Sequence, residues 1–361
     1  MKKLSWILLL LTSACAPNKN KQAIDQVDQL FRSEFKDNEP GGAVLVMKDG
    51  AVIFKKGYGI ADVGTKEKIT TTTLFNTGSI SKTFVSNTIL SLAEEGKLSL
   101  DDSLDRYFRE FKNKTIAQKI KIHHLLTHTS GLPDNRRLLL DSVFLLSAKD
   151  RENWAPITQC DSLLFAPGSR YEYSNPAFNG LALIIEQVTK TKWQTVVAER
   201  IFKPAGMATS KITDGAYPDQ GVAHGYLKTA TGYLEKDYGE EPTFAAAGNG
   251  GIWSSVEELA RYEQALQQAA FLKKETIERS RTITRYDNWT DSVAPFIGYS
   301  WFIGKTLAGQ EIVSHTGSQG GFLADYVSIP ENKLFFVILC NRPYPREAFR
   351  KKILDLFNPE K

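Results

Sequence analysis

Between Gly42 and Tyr58 the chain carries two short runs rich in apolar and β-branched residues, 43–47 and 51–55, broken by Lys48-Asp49-Gly50. An Asp-Gly pair between such runs predicts a β-hairpin, because those two residues accept the positive φ of a tight turn. After Thr70 the pattern changes to helical periodicity with long loops, and it stays so to about Tyr286. The clearest helical stretch starts at Ser79, keeps Lys82, Val85, Ile89 and Leu92 on one face, and stops near Glu95 with Gly96 as its cap. Another carries Phe178, Leu181, Ile185 and Val188. A second strand-rich block follows at residues 298–303, 311–315, 322–329 and 333–341, with Pro330-Glu331-Asn332 as the last turn, and residues 349–357 predict a terminal helix packed on the sheet. Strands at both ends of a helical middle predict an α+β fold. One antiparallel sheet, flanked by helices and formed by the N- and C-terminal parts, would hold an inserted, mostly helical region.

The length of 361 residues admits one large two-part domain or two small ones. Hydrophobic residues make up 42%, with 20 Phe, 13 Tyr and 6 Trp, which is material for a sizeable core rather than a disordered chain. The net charge of +4 is spread along the chain without a basic block, so nucleic acid is not an expected partner. At the N-terminus Lys2 and Lys3 precede the apolar run 4–11, then Ser13, Ala14 and Cys15. That is the layout of a secretory signal, too short to span a bilayer as a mature helix. Cys15 after small residues resembles a bacterial lipobox, with Thr12 where an aliphatic is usual, and makes Cys15 a candidate for lipidation and membrane anchoring. A plain signal cleaved nearby fits the same residues. Residues 1–15 are therefore expected as the signal, 16–24 as a polar linker, 25–345 as the main domain and 346–361 as its C-terminal helix. Export would permit a disulfide between Cys160 and Cys340, while their apolar surroundings suit two buried free thiols equally well. No cysteine spacing suggests a metal site, and no cofactor is expected.

Three clusters carry chemistry. In Ser79-Ile80-Ser81-Lys82 a serine and a lysine three residues apart share one helix face. Lys82 begins an apolar stripe, and a buried ammonium loses hydration, which lowers its pKa and lets it take a proton from a hydroxyl that is otherwise a poor nucleophile. Alone, the same residues also describe a capping serine and a solvated lysine. The second cluster, Tyr171-Glu172-Tyr173-Ser174-Asn175-Pro176, follows a Pro167-Gly168 turn. In an extended segment Tyr173 and Asn175 point the same way, so Tyr173 could shuttle a proton and Asn175 hold a substrate amide or carbonyl; a packing tyrosine and a capping Asn175 are the alternative. The third, His315-Thr316-Gly317-Ser318, ends a strand with a glycine that allows close backbone approach, as at an edge where a substrate peptide lies. A surface histidine before a turn is the plainer account.

Taken in order, the three clusters resemble the serine β-lactamase and penicillin-binding protein superfamily. The likeness is greatest to the branch of class C β-lactamases, D-alanyl-D-alanine carboxypeptidases and family VIII esterases. His124-Leu125-Leu126-Thr127-His128-Thr129-Ser130-Gly131-Leu132-Pro133 and Gly248-Asn249-Gly250-Gly251 also resemble recurring segments of that branch, and the likeness runs from about residue 25 to 345. The resemblance implies a β-lactamase/transpeptidase-like fold with the site between sheet and helices. It implies Ser79 as acylated nucleophile, Lys82 as the group assisting its deprotonation, Tyr173 as proton relay and His315 as a further catalytic group handling protons around Ser79. Asn175, Thr316, Gly317 and Ser318 would contact substrate, and the backbone N–H groups of Ser79 and Ser318 would form an oxyanion hole. Penicillin-hydrolysing members usually carry lysine where this chain has His315, so weak or absent β-lactam hydrolysis is expected. A hydrolase of peptides or amides such as D-amino-acid cell-wall peptides, a small-ester hydrolase, and a ligand-capture protein with little turnover all remain open. Loops at 136–154 and 213–243 are expected to shape substrate choice.

Overall fold

The structure is a computed structural model that describes residues 19–134, 136, 144, 147–235, 245–285 and 297–357. Six strands form one antiparallel sheet: β1 (Gly42–Lys48), β2 (Ala51–Tyr58), β3 (Phe302–Lys305), β4 (Glu311–Gln319), β5 (Phe322–Ile329) and β6 (Leu334–Cys340). Their spatial order is β2-β1-β6-β5-β4-β3, so the N-terminal hairpin joins the C-terminal strands through β1 and β6, from Gly42 opposite Cys340 to Lys48 opposite Leu334. The hairpin turn forms as its residues dictate, with Asp49 at φ 53° and Gly50 at φ 81°.

Helix α1 (Lys19–Glu34) and helix α5 (Arg346–Phe357) cover one face of this sheet. Phe31 of α1 meets Phe349 of α5 edge-on with ring centroids 5.0 Å apart and stacks on Tyr58 at 5.3 Å. The opposite face packs on the helical region, which contains α2 (Ser81–Glu94), α3 (Asn175–Thr189) and α4 (Val256–Gln267). Between α4 and the sheet the buried Glu263 carboxylate accepts hydrogen bonds from Arg281 (2.6 Å), Ser328 (2.8 Å) and Tyr326. Burial raises the Glu263 pKa, but Arg281 and the two hydroxyls outweigh it and hold the carboxyl below its usual range.

Two expectations change. Helix α1 begins at Lys19, so residues 19–24 belong to it rather than to a linker, and Ala23 and Ile24 pack in the cluster between α1 and the sheet while residues 20–22 are exposed. The strand expected at 298–303 is confined to Phe302–Lys305, because the preceding backbone is taken by other partners: Tyr299 N–H by Ser280 O and Ser300 N–H by Leu126 O. Cys160 and Cys340 are free and buried in two separate hydrophobic clusters on opposite sides of the sheet. Lys2, Lys3, the 4–11 run and Cys15 lie outside the described residues, as do parts of the 136–154 and 213–243 loops.

Candidate active site

Ser79 sits in a single 3-10 turn, Gly78–Ile80, that feeds directly into α2. Its flanking hydroxyls pin the turn in place. Thr77 binds Ile252 O through both its N–H and its hydroxyl at 2.9 Å, and Ser81 Oγ accepts the Ile252 N–H at 3.0 Å. Ser81 is thus consumed by structure and fully buried, whereas Ser79 is half-buried and reachable. One turn on, Lys82 Nζ lies 3.0 Å from Ser79 Oγ, as helical spacing requires. Lys82 is entirely buried. Burial first, and then the charge of Arg136, push its pKa well below the usual lysine value.

Tyr173 comes from the extended segment that leads into α3. Its hydroxyl shares a hydrogen bond with Ser79, and burial raises its pKa, so the phenol stays protonated at neutral pH. Lys82 Nζ stands 5.2 Å from the Tyr173 ring centroid. Serine, amine and phenol therefore converge. Asn175 is not the cap of α3: Ser174 takes that place by accepting the Ala177 N–H, which leaves Asn175 in the first turn with a buried, unpartnered Oδ1.

The third motif lies on β4. Strand alternation turns His315 and Gly317, opposite Tyr326 and Ala324, toward the helical region. The side chains of Thr316 and Ser318, opposite Asp325 and Leu323, turn toward the side of α5, where Arg350 binds Asp325 at 3.0 Å. What the Gly317–Ser318 end of β4 brings to Ser79 is therefore backbone. A Cβ at Gly78 (φ 51°) would fall 2.7 Å from Ser318 N, and a Cβ at Gly317 would fall 2.0 Å from Thr77 O. Glycine at both positions lets the Ser79 turn sit against the strand edge, where the Ser79 and Ser318 N–H groups can face one oxyanion. His315 Nδ1 is 2.7 Å from Thr316 O, so Nδ1 carries the proton and the buried, unpartnered Nε2 is a bare acceptor. Burial and nearby Lys82 push this imidazole down to about 3, which makes His315 neutral rather than a cation.

Behind Lys82 runs a buried polar chain. Lys82 Nζ donates to Asn249 O at 2.7 Å, Asn249 Nδ2 to Asn179 Oδ1 at 3.0 Å, and Asn179 Nδ2 to Asp150 Oδ1 at 2.6 Å. Asp150 also accepts from Gly248 N (2.8 Å) and Trp193 Nε1 (2.8 Å). A side chain at Gly248 would collide with Ala182 Cβ at 2.8 Å, so Gly248 serves close packing on α3, whereas a Cβ at Gly251 would meet Ala247 Cβ at 2.4 Å. Among the described residues no group of three or more His, Cys, Asp or Glu could hold a metal ion.

The family model described as Beta-lactamase matches residues 22–357. The chain belongs to the Beta-lactamase family. Penicillin-binding protein 4* of Bacillus subtilis (strain 168) is 26% identical over 337 residues, covering 90% of this chain and 72% of that protein. Protein flp of Staphylococcus aureus (strain COL) is 28% identical over 327 residues and covers 88% of this chain, which in turn spans 62% of the flp protein's length. Among solved structures, the octameric penicillin-binding protein homologue from Pyrococcus abyssi superposes with a TM-score of 0.78 at 28% identity, covering 95% of this chain and 78% of that one.

Within this Beta-lactamase family member, four residues near the site escaped the reading of side-chain motifs. Asn249 acts through a backbone carbonyl, which no side-chain pattern advertises. Asp150 and Asn179 form a hub only because the chain folds. His128 stacks on Tyr173 with ring centroids 4.3 Å apart and 25° between planes. Its place in the His124–Pro133 segment was the one signal available.

Proposed function

We propose that this chain is an exported serine hydrolase that works through an acyl-enzyme on Ser79. The proposed substrates are peptides, amides or esters, with D-amino-acid-containing cell-wall peptides as the natural class. One observation carries the reading: an amine without access to water stands 3.0 Å from a reachable hydroxyl. As a neutral amine, Lys82 keeps its donor bond to Asn249 O and turns its lone pair to Ser79. The Ser79 proton moves to Nζ as the Oγ–C bond forms, and the carbonyl oxygen becomes an oxyanion beside the Ser79 and Ser318 N–H groups, each contributing about 3 kcal/mol. Tyr173 then gives its proton to the leaving heteroatom as the C–X bond breaks and recovers one from the Lys82 ammonium. Water repeats the sequence in reverse to release the acid.

Relatives named for penicillin binding support a peptide-like substrate. The neutral His315 supports a second reading, hydrolysis of small esters, because it presents an acceptor and no cation to a substrate carboxylate. A panel of D-alanyl peptides, p-nitrophenyl esters and nitrocefin separates these readings. Turnover of the peptides or the esters is expected, with nitrocefin slow or inert; nitrocefin turnover at the rate of a dedicated β-lactamase would refute the role given to His315. Stable adducts without product would instead indicate ligand capture.

Export and a membrane anchor through lipidated Cys15 complete the proposal, supported by the signal-like pattern of residues 1–15. Incorporation of labelled palmitate by whole cells, abolished in Cys15→Ser, is the expected result, and label retained in that variant would exclude Cys15 as the site.

A further inference from the structure

Tyr173 can relay a proton only if its hydroxyl is held at Ser79, yet it lies on an extended segment outside regular secondary structure. The fastening comes from one residue. His128 O accepts the Glu172 N–H at 2.9 Å, and His128 Nδ1 accepts the Ser174 N–H at 3.0 Å, so the neighbours on both sides of Tyr173 are tied to the same histidine. The imidazole lies against the phenol, and Phe178 supports it from α3 with centroids 5.1 Å apart. His128 itself is buried and held at φ 55°, a left-handed conformation uncommon for a residue with a side chain. Such conformations persist only where their surroundings impose them. The adjacent Thr129 O accepts the Gly168 N–H at 2.8 Å, which ties the start of the Tyr173 segment to the same turn.

We propose that His128 is the positioning residue for the Tyr173 hydroxyl, clamping residues 172–174 by its carbonyl and Nδ1 and backing the phenol with its ring. The role rests on the acyl chemistry proposed for Ser79 and deepens it. Because Nδ1 is an acceptor, the ring proton sits on Nε2, and a second proton would remove the bond to Ser174. Burial, with Lys82 and His315 nearby, lowers the His128 pKa well below the usual value and keeps the ring in the neutral form that the clamp needs.

The consequence is a dependence on the leaving group. A p-nitrophenolate departs without a proton, whereas an alkoxide or amine needs one from Tyr173. The test compares a p-nitrophenyl ester and an alkyl ester of the same acyl group in wild type, His128→Ala and His128→Asn. Asparagine places Oδ1 near the position of Nδ1 and tolerates a left-handed φ, so it keeps the Ser174 bond and guards against a variant that merely misfolds. With His128→Ala, kcat/KM, which reports acylation and not the deacylation step the two esters share, is expected to fall on the order of 10²-fold for the alkyl ester, with a far smaller loss for the p-nitrophenyl ester. His128→Asn should recover most of the alkyl-ester rate. In a Tyr173→Phe background His128→Ala should add little further loss, since both remove the same relay. Equal losses on the two esters, or an asparagine variant as poor as alanine, would overturn the positioning role while leaving Ser79 chemistry intact. A wild-type chain inactive on both esters would overturn the hydrolase reading and this role with it.

Discussion

Ser79→Ala is expected to lose acyl-enzyme formation altogether, with kcat falling on the order of 10⁶-fold, as for the nucleophile of another serine hydrolase. The size of the effect follows from the lack of a substitute. Ser81 is buried and bound to the Ile252 N–H, and Thr77 is buried and bound to Ile252 O, so neither hydroxyl can reach a substrate. The Oγ of Ser79 serves no capping bond in its turn or at the start of α2, so its removal should leave the fold intact. Mass spectrometry after a fluorophosphonate probe is the measurement. The wild-type chain should gain one adduct, mapped to the peptide bearing Ser79, and the variant none. Labelling that survives in Ser79→Ala would show that the nucleophile is elsewhere.

Local physics explains why so much of this site could be read along the chain. The Asp49-Gly50 turn needs positive φ at two positions, and the approach of Ser79 to Lys82 needs only a helix. Both signals span four residues or fewer. His128 is 46 residues from the Ser174 N–H it binds, and Asp150 is 98 from Gly248, so their roles depend on folding and leave no local trace. The loss of 298–301 from the expected strand has the same origin, since distant carbonyls claim the Tyr299 and Ser300 amides. Strand alternation was legible in principle for Thr316 and Ser318. It places both side chains on the side of α5, so neither meets a substrate at Ser79 as a side chain, while the Ser318 N–H expected in the oxyanion hole lies at the strand edge beside the Gly78 turn.

Lys82→Met is expected to trade activity for stability, and pH separates the two effects. Methionine is of similar length and carries no charge, so the buried stem keeps its packing while the base is lost, at a cost of about 10²- to 10⁴-fold in kcat/KM. In the wild type kcat/KM should rise with pH through the lowered pKa of Lys82, because only the free amine can accept the Ser79 proton; the variant should lack that rise. Stability has the same sign. The folded chain resists protonating Lys82, whereas the unfolded chain keeps its proton up to about pH 10.4. Between the folded and unfolded pKa values the unfolded state therefore binds more protons, and wild-type stability gains a term that grows with pH. Lys82→Met has no such term. Urea unfolding at pH 6 and pH 9 should find the variant's advantage over the wild type larger at pH 6 and smaller at pH 9; His128 and His315, which Lys82 also holds down, change in the same direction when it is removed. A difference that stays constant with pH would mean that the amine carries its proton in the folded state, and an acceptor for the Ser79 proton would then have to be sought elsewhere.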